Sequence, residues 1–353
     1  MVSTSPLNEM ALRKLRNKLA KIQLLLAEPD ARMSSITKKL LHSFGFETIH
    51  IAKSGDRAVN IIKTHAIDLV ITEWPMEPMS GIDFVSFMRT AEDSPKRNMP
   101  IIMLTGHADI AHVEKARDAG VTEYLVKPFT AKTLSHRIIQ VIDNPRSFIR
   151  FDAFAGPDRR RRVPLPPGGT DRRLPAEEME KHAKKLGDRT IYHVHGMDIE
   201  VRPPDYSLRQ KLDDTAASDI LNEENVRRAQ EVLTHARGDF VEWVLVDLNQ
   251  MEHAYEALAA DLTDKKALDD LRELAFGVKA QAGTFSFPLG SEVGKSLVDF
   301  LHTIDEMNKF RLLVIRKHID TLYVIFHQRL QERDAEVRDE IMQTLHALVH
   351  KFS

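Results

Sequence analysis

Four polar side chains in the first part of the chain end or directly follow short apolar runs. They are two carboxylates, a hydroxyl and an ammonium group, supplied by Glu28, Glu73, Thr105 and Lys127. Carboxylate oxygens bind hard cations such as Mg²⁺, and a lysine beside them neutralises the charge of a transferred phosphoryl group. Brought together, these residue types would form a site that handles phosphate and a divalent ion.

The apolar runs that carry these residues alternate with stretches of helical spacing. The runs are rich in β-branched residues and cover Ile22–Ala27, Thr48–Ala52, Ile67–Thr72, Pro100–Thr105 and Val121–Val126. Five strands that alternate with helices predict an α/β fold, a doubly wound parallel sheet of the flavodoxin-like type. Functional groups in such sheets gather beyond the carboxyl ends of the strands, which is where the four side chains fall.

A wider set of positions in residues 21–143 resembles the receiver domain of two-component response regulators. The run E-W-P-M-E-P-M-S-G begins at Glu73 and places Gly81 eight residues later, as the receiver phosphorylation loop does. The resemblance implies a site in which paired acidic residues hold Mg²⁺, an aspartate accepts the phosphoryl group, and a threonine and a lysine bind its oxygens. Its further anchors are Thr105, Tyr124 and Lys127-Pro128-Phe129.

Two departures from the receiver pattern change the predicted chemistry. Glu73 stands where the family has its phosphate-accepting aspartate, and its extra methylene moves the carboxylate outward by about 1.5 Å. The acidic pair is replaced by Glu28-Pro29, and we interpret the next residue, Asp30, as a turn residue or helix cap. We therefore expect weakened or absent Mg²⁺ binding, no acyl phosphate, no catalytic residue and no cofactor. Glu28, Asp30 and Glu73 remain weak metal candidates.

The residues that are retained leave two interpretations of the receiver's state. In receivers the phosphoryl group draws the threonine inward, and the aromatic residue three positions before the lysine turns in with it. A permanently charged Glu73, paired with Lys127, could hold Thr105 and Tyr124 in that arrangement without phosphate. Alternatively, Tyr124 is ordinary half-buried strand packing. The sequence does not separate the two interpretations.

The distribution of proline predicts the domain organisation. Half of the 16 prolines fall between Pro145 and Pro204, and only Pro288 follows them. A stretch with so little proline can be mostly helical, because a proline inside a helix costs about 3 kcal/mol. We predict an N-terminal amphipathic helix at 1–20 and a receiver-like domain at 21–143. A Pro/Arg-rich connector follows at 144–217, with a short ordered piece at 189–203. Residues 218–353 are predicted to form an all-α bundle of four to six helices.

One segment of the predicted bundle, L-A-F-G-V-K-A-Q-A-G-T-F-S-F-P-L-G, resembles the motif of histidine phosphotransfer domains. Lys279, Ala280 and Gly283 match that motif, whereas Phe276 occupies the position of its histidine. A benzene ring offers no nucleophilic nitrogen, so phosphate transfer through this position is excluded. At about 100° per residue, Phe276 lies off the apolar stripe of its helix. A contact with another protein and packing under another element explain it equally well.

Bulk composition excludes several classes of protein. The net charge of −2 gives no global attraction to nucleic acid or acidic lipid, and the absence of cysteine excludes disulfides and thiolate metal sites. No apolar run approaches the roughly 20 residues that span a bilayer, and no signal-peptide pattern opens the chain, so we expect a cytoplasmic protein without a transmembrane segment. Arg159–Arg162 lack interleaved aromatic residues, which favours a solvated linker over nucleic-acid binding.

Together these patterns predict a bacterial two-component signalling protein that is an adaptor or regulator and not an enzyme. Expected partners are a histidine kinase, a response regulator or a phosphotransfer protein, with a homodimer as a further option, and the predicted receiver surface is roughly 108–143. Two alternatives stay open. One is a phosphorelay component phosphorylated at an atypical residue: Glu73, Asp30, or a histidine outside the motif such as His253 or His318. The other is a nucleic-acid-binding regulator that uses Arg159–Arg162.

Overall fold

The structure is a computed structural model that describes residues 15, 17–151, 154–159, 183–194, 197–328 and 335–352. By its internal contacts the chain divides into two compact units. The first unit comprises Met1–Leu125 and Ala131–Ala229, and the second comprises Val126–Thr130 and Gln230–Ser353. None of the described helices combines the length and the apolarity that crossing a bilayer requires.

The first unit is built on a five-stranded sheet with the order β2-β1-β3-β4-β5, which confirms the predicted fold class. Strand β1 pairs in parallel with β2 and β3, and β3 pairs in parallel with β4. All residues of β1, β3 and β4 are buried, as expected for a parallel sheet with helices on both faces. The strands are β1 Leu24–Ala27, β2 Ile49–Ala52, β3 Leu69–Thr72, β4 Ile101–Thr105 and β5 Glu123–Val126.

One helix follows each of these strands, and short polar side chains set where several of them begin. Asp30, Ser80 and Asp109 each accept a hydrogen bond from a backbone N–H of the following first turn. Gly45 ends the first helix with φ of 116°, in the left-handed region that glycine adopts without a Cβ penalty. The helices are α1 Ala31–Phe44, α2 Gly55–Thr64, α3 Gly81–Thr90, α4 Ile110–Asp118 and α5 Ala131–Asp143.

A second, antiparallel sheet occupies much of the region that composition assigns to a connector. Its order is β7-β6-β10-β9-β8, and each neighbouring pair is antiparallel. The ordered part of this region is therefore larger than the short piece expected at 189–203. The strands are β6 Phe148–Phe151, β7 Phe154–Pro157, β8 Ala183–Leu186, β9 Arg189–Val194 and β10 Met197–Arg202.

Arg89, on α3, packs where the second sheet meets the receiver helices. It is fully buried, and its guanidinium donates hydrogen bonds to the carbonyl oxygens of Gly120 at 2.9 Å and Arg97 at 2.7 Å. The guanidinium carbon lies 5.8 Å from the centre of the Phe148 ring in β6. Gly120 has φ of 89°, and a Cβ there would lie 2.6 Å from the Ala155 carbonyl oxygen in β7. Burial lowers the pKa of Arg89 to about 9, so it remains charged at neutral pH.

The segment after the second sheet returns to the receiver through polar contacts. Lys211 Nζ lies 2.7 Å from the Asp68 carboxylate, and the backbone N–H of Ala217 donates to Asp143 Oδ1 at 2.7 Å. Contacts therefore place residues up to Ala229 in the first unit, beyond the predicted boundary at 217. This segment contains the short helices α6 Ser207–Lys211 and α7 Ala217–Ile220.

The predicted N-terminal helix is described only in part. Residues 15 and 17–19 are helical, and residues 1–14 and 16 lie outside the described part of the chain. Leu19 is fully buried, and Lys18 Nζ donates to Thr215 Oγ1 at 2.5 Å. The described end of this stretch is therefore packed on the first unit.

The second unit is helical, as predicted for the C-terminal part of the chain. An aromatic cluster fills its core: the ring centres of Phe240 and Phe285 are 4.5 Å apart, and those of Phe287 and Phe326 are 5.3 Å apart. Asp264 caps the helix that begins at Lys265 by accepting from the Ala267 N–H. Helix α8, Glu223–His235, runs across the division between the units; the helices that follow it are α9 Arg237–Ala260, α10 Lys265–Ala282, α11 Pro288–His302, α12 Lys309–His327 and α13 Ala335–Phe352.

Apolar residues recur at helical spacing from Phe310 to Val349, and the structure describes two helices along this stretch. Helix α12 ends at His327 and α13 begins at Ala335. Residues 329–334, which separate these two helices in sequence, lie outside the described part of the chain.

Candidate functional site

The carboxyl ends of three neighbouring strands bring Glu28, Glu73 and Thr105 to one edge of the parallel sheet, as predicted. Glu28 and Glu73 are only 4% and 6% exposed, and Thr105 is fully buried. The register pairs Ala27 of β1 with Thr72 of β3, and the Glu73 N–H donates to the Ala27 carbonyl oxygen at 2.8 Å. Two carboxylates and a hydroxyl therefore occupy the edge where receivers hold their phosphate chemistry.

The Glu73 side chain is engaged by its own loop. Its Oε1 atom accepts a hydrogen bond from the Trp74 N–H at 2.8 Å. The Gly81 N–H donates to the Trp74 carbonyl oxygen at 2.9 Å, and a Cβ at Gly81 would lie 1.8 Å from the Glu73 carbonyl oxygen. Glycine at position 81 is thus required for the loop to fold back on Glu73.

Asp30 is the N-cap of α1, which confirms its interpretation as a helix cap. Its Oδ1 atom accepts from the backbone N–H of Arg32 at 2.7 Å and of Met33 at 3.2 Å, and its Oδ2 atom lies 3.2 Å from the Arg32 guanidinium. Burial alone would raise the pKa of Asp30, but the hydrogen bonds and charge of Arg32, together with the Met33 N–H, lower it overall.

The carboxylates of this edge do not fit the Mg²⁺ site that a receiver implies. Mg²⁺ demands near-octahedral oxygen ligands and is usually bound by carboxylates that face it directly. Pro29 supplies no ligand, Asp30 is committed to the helix cap and to Arg32, and Glu28 Oε1 accepts from the Asp30 N–H at 3.2 Å. Glu73 Oε1 is likewise turned to a backbone donor.

Thr105 and Tyr124 meet at the backbone of His107, a residue that sequence reasoning did not single out. The Tyr124 hydroxyl donates to the His107 carbonyl oxygen at 2.7 Å, and the His107 N–H donates to Thr105 Oγ1 at 3.4 Å. Burial raises the pKa of Tyr124, and the negative charges of Asp109 and Glu73 raise it further. Tyr124 is thus half-buried against the core and also hydrogen-bonded to the loop after β4, and whether it marks a switched-on receiver stays a prediction.

Lys127 is buried and belongs to Val126–Thr130, the segment that groups with the second unit. Within that unit the Phe129 N–H donates to Thr284 Oγ1 at 3.1 Å, and a Cβ on Gly283 would lie 2.6 Å from Pro128 Cγ. Gly283 is one of the small residues of the phosphotransfer-like motif, and its missing side chain makes room for this proline. The ion pair between Glu73 and Lys127 stays a prediction.

Phe276 is half-buried on α10, off the buried stripe, as the helical spacing predicts. The ammonium of Lys279 lies 5.3 Å from the centre of its ring, within the range of a cation–π contact, and Ala280 is buried. Phe276 and Lys279 therefore lie on one side of the helix. Whether that side receives another protein stays a prediction.

A polar cluster at the start of α4 was not predicted from the sequence. His107, Asp109 and His112 each place a potential ligand atom within 4.8 Å of those of the other two. The two imidazole rings are stacked with centres 4.1 Å apart, and the Trp74 ring lies edge-on to His112 at 5.0 Å. The hydrogen bond from His112 lowers the pKa of Asp109 to about 2. The sequence signal was an N-cap aspartate followed by histidine three residues later.

Two large apolar side chains on α4 are exposed within the predicted surface of residues 108–143. Ile110 is 77% exposed and Val113 is 39% exposed. They lie one turn apart on the same side of the helix. We call this pair the α4 apolar pair.

The structure shows the burial and contacts of three residues that the alternative interpretations name: His318, His253 and Arg159. His318 is fully buried on α12 with Nε2 3.0 Å from Ser296 Oγ, and burial lowers its pKa to about 4, whereas His253 is exposed on α9. Arg159 pairs with Asp118 at 3.1 Å and stacks 3.9 Å from the centre of the Phe154 ring. Residues 160–162 lie outside the described part of the chain.

Comparison with known proteins identifies the parallel-sheet part of the chain. Residues 24–139 match the response regulator receiver domain. Over 122 residues the chain is 33% identical to Chemotaxis protein CheY-3 of Vibrio cholerae serotype O1, an alignment that covers 35% of this chain and 92% of that protein. The chain therefore belongs to the response regulator receiver family, and it is a two-component signalling protein.

Within that family, two further proteins show the extent of the similarity. Chemotaxis protein CheY of Pseudomonas aeruginosa is 31% identical over 122 residues, covering 35% of this chain and 97% of its own. The crystal structure of a putative response regulator from Chloroflexus aurantiacus J-10-fl is 25% identical and covers 34% of this chain and 96% of its own, with a TM-score of 0.32. These two alignments cover 35% and 34% of this chain.

Proposed function

We propose that this protein is a cytoplasmic signalling adaptor whose receiver works without accepting phosphate. In this proposal the receiver is a pseudo-receiver, the bundle is a phosphotransfer-like domain without its histidine, and the protein acts by binding other two-component proteins. It catalyses no reaction and needs no Mg²⁺.

The observation that carries the proposal is the state of Glu73. The carboxylate at the nucleophile position is buried and hydrogen-bonded to the Trp74 N–H. Attack on phosphorus needs a nucleophile within about 3–3.5 Å and in line with the leaving group, and a misplacement of about 1 Å can cost about 100-fold in rate. A longer side chain held by its own loop is poorly placed for that attack.

The engagement of Asp30 supports the same conclusion. The phosphoryl-transfer reaction of receivers depends on a divalent ion that neutralises developing charge. The second acidic ligand is absent at Pro29, and the nearest substitute carboxylate is already paired with Arg32. Two independent requirements for phosphorylation are therefore both weakened.

The contacts of Tyr124 support a receiver that is held in one arrangement by its own residues. Its hydroxyl is bonded to the His107 carbonyl oxygen, and Thr105 accepts from the His107 N–H. These contacts exist alongside a buried carboxylate at position 73, which supplies negative charge where a phosphoryl group would otherwise stand. A fixed arrangement of this loop would present the α4 apolar pair to partners at all times.

Intact-mass spectrometry after incubation with acetyl phosphate and Mg²⁺ tests the proposal. We expect the wild-type chain to gain no phosphate. The double variant Pro29→Asp/Glu73→Asp restores both missing receiver residues, and we expect it to be phosphorylated at least about 100 times faster than the wild type.

The double variant is the positive control, because it shares every other residue of the pocket with the wild type. A phosphate adduct on the wild-type chain would contradict the proposal. Its position, mapped by peptide sequencing and by acid and base lability, would then identify the atypical acceptor: Glu73, Asp30 or a histidine.

A further inference from the structure

His107, Asp109 and His112 combine the donor types that borderline transition metals prefer. Imidazole nitrogen suits Zn²⁺, Cu²⁺ and Ni²⁺, and a carboxylate oxygen completes many such sites. The candidate ligand atoms lie within 4.8 Å of one another. Two ligands about 2.1 Å from one ion are at most about 4.2 Å apart, so the ligand atoms have to move closer together to bind one ion.

We propose that His107, Asp109 and His112 form a binding site for a borderline divalent metal ion, Zn²⁺ in the first instance. Three protein ligands leave a tetrahedral ion one position for water. Mg²⁺ is a poor match, because it prefers oxygen ligands in octahedral geometry. The inference is independent of whether the receiver accepts phosphate.

The present ring geometry shows which side chain moves on binding. The two imidazoles are stacked with an interplanar angle of 7°, so their in-plane lone pairs run parallel and do not converge on one point. His112 is on the exposed side of α4 and is held by Asp109 through Nδ1 at 2.7 Å. Turning the His112 ring releases Asp109 and lets both groups face an ion beside His107.

The position of His107 connects this site to the receiver switch. Its carbonyl oxygen accepts from Tyr124 and its N–H donates to Thr105, while Asp109 caps α4 directly before Ile110. An ion held by residues 107, 109 and 112 cross-links the loop after β4 to the first turn of α4. Metal binding would therefore reinforce the arrangement of the loop and the α4 apolar pair that the contacts of Tyr124 and Thr105 already hold.

Calorimetric titration of the full, chelator-treated chain with Zn²⁺ tests the site. Trp74 lies edge-on to both histidine rings, at 5.7 Å from His107 and 5.0 Å from His112, so its fluorescence is the optical readout. We expect saturable Zn²⁺ binding with a change in Trp74 fluorescence. Because outer-shell changes alone typically cost 10–100-fold in metal affinity, His112→Ala and Asp109→Asn should each weaken binding at least about 10-fold.

Two control variants isolate this signal from the rest of the chain. His50 and His65 form another ring pair, with centres 4.4 Å apart, so His65→Ala removes a histidine from a comparable pair and should leave the titration unchanged. Trp243 is the other tryptophan in the chain, so a Trp74→Phe variant shows whether the optical change comes from Trp74. We expect this variant to lose the optical change and to keep the heat of binding. Circular dichroism checks that each variant is folded.

Cobalt provides a direct test of ligation at position 112. The chain contains no cysteine, so in a His112→Cys variant any thiolate-to-cobalt absorption band must come from that position. We expect the band on addition of Co²⁺ to His112→Cys and no band with His65→Cys. Any one of three results would overturn the proposal: the wild type does not bind Zn²⁺, Zn²⁺ binding survives in both His112→Ala and Asp109→Asn, or His112→Cys shows no band.

Discussion

At the scale of single residues, backbone N–H groups close in sequence donate hydrogen bonds to the carboxylates of Glu73 and Asp30. Glu73 accepts from the Trp74 N–H, and Asp30 accepts from the first turn of α1. These hydrogen bonds orient one oxygen of each carboxylate toward its own loop or helix. The proposed loss of phosphate chemistry would therefore rest on the loop and the helix cap as well as on residue type.

Variants of Asp30 separate the contribution of its cap from that of its charge. Asp30→Ala removes the acceptor for the Arg32 and Met33 N–H groups and should lower the free energy of unfolding by about 0.5–2 kcal/mol. Asp30→Asn keeps a good cap and loses only the pairing with Arg32, so its effect should be smaller. Urea unfolding followed by circular dichroism measures both.

The pH dependence of the Asp30→Asn effect has a definite sign. The pKa of Asp30 is lowered in the folded protein from an ordinary value of 3.8, so the unfolded chain takes up the proton first as pH falls. The stabilising charge is fully present above pH 3.8 and is lost as pH falls through the lower folded pKa. The gap between wild type and Asp30→Asn should shrink from pH 7 to pH 3, and a gap that stays constant would contradict this account.

At the scale of elements, sequence periodicity predicts the receiver strands and the bundle helices but not the second sheet. The receiver strands are buried on both faces and stand out as apolar runs. Strand β10 is exposed or half-buried along its whole length, and its partner β6 is more than 40 positions away in sequence. Strand β10 alternates apolar and polar residues, but this signal is short, and the proline and arginine run between β7 and β8 favours a connector.

The residues of the candidate site likewise fall into those that the sequence predicts and those that it does not. Glu28, Glu73 and Thr105 could be placed from the sequence because strand ends define them. The bond from Tyr124 to the His107 carbonyl and the grouping of His107 with His112 could not, since they depend on the path of one loop. Loop direction follows from tertiary contacts and has no period to detect.

The packing of α11 against α12 predicts a pH-dependent stability. His318 is buried beside Ser296, and its pKa is lowered from 6.5 to about 4. The unfolded chain therefore binds a proton that the folded chain excludes, and stability falls as pH drops from about 6.5 towards 4. One pKa unit corresponds to about 1.4 kcal/mol, so the loss is on the order of 3 kcal/mol.

Thermal unfolding of the wild type and His318→Gln between pH 7 and pH 4 measures this contribution. Glutamine does not titrate, so the variant should lose less stability over the interval even if it is less stable at pH 7. His253→Gln, on an exposed surface of α9, is the matched control and should follow the wild type. Equal slopes for wild type and His318→Gln would refute the assignment.

At the scale of the whole molecule, an adaptor must expose a surface that partners bury. Under the proposed function, the α4 apolar pair is the receiver surface that a partner would bury. We expect Ile110→Glu/Val113→Glu to reduce the affinity for a captured two-component partner at least about 10-fold, because burying an unpaired charge at an interface is costly. Pulldown from native extract, followed by a binding titration with the retained protein, gives the measurement.

Matched variants define where the partner binds. Val246→Glu places one such charge on a side chain that is 56% exposed on α9 and should leave the affinity unchanged. Phe276→Ala tests whether the phosphotransfer-like face is also used. If Val246→Glu weakens binding as much as the α4 double variant does, the receiver surface is not the specific contact.

The contact between Phe129 and Thr284 bears on how this protein can be dissected. A fragment that stops at Asp143 retains all five parallel strands but lacks Thr284, the acceptor of the Phe129 N–H, and Gly283, which accommodates Pro128. Its Lys127-Pro128-Phe129 turn would lose neighbours that it has in the intact chain. Binding measured on such an isolated receiver would therefore lack the effect of these contacts. Assays of signalling should use the full-length protein.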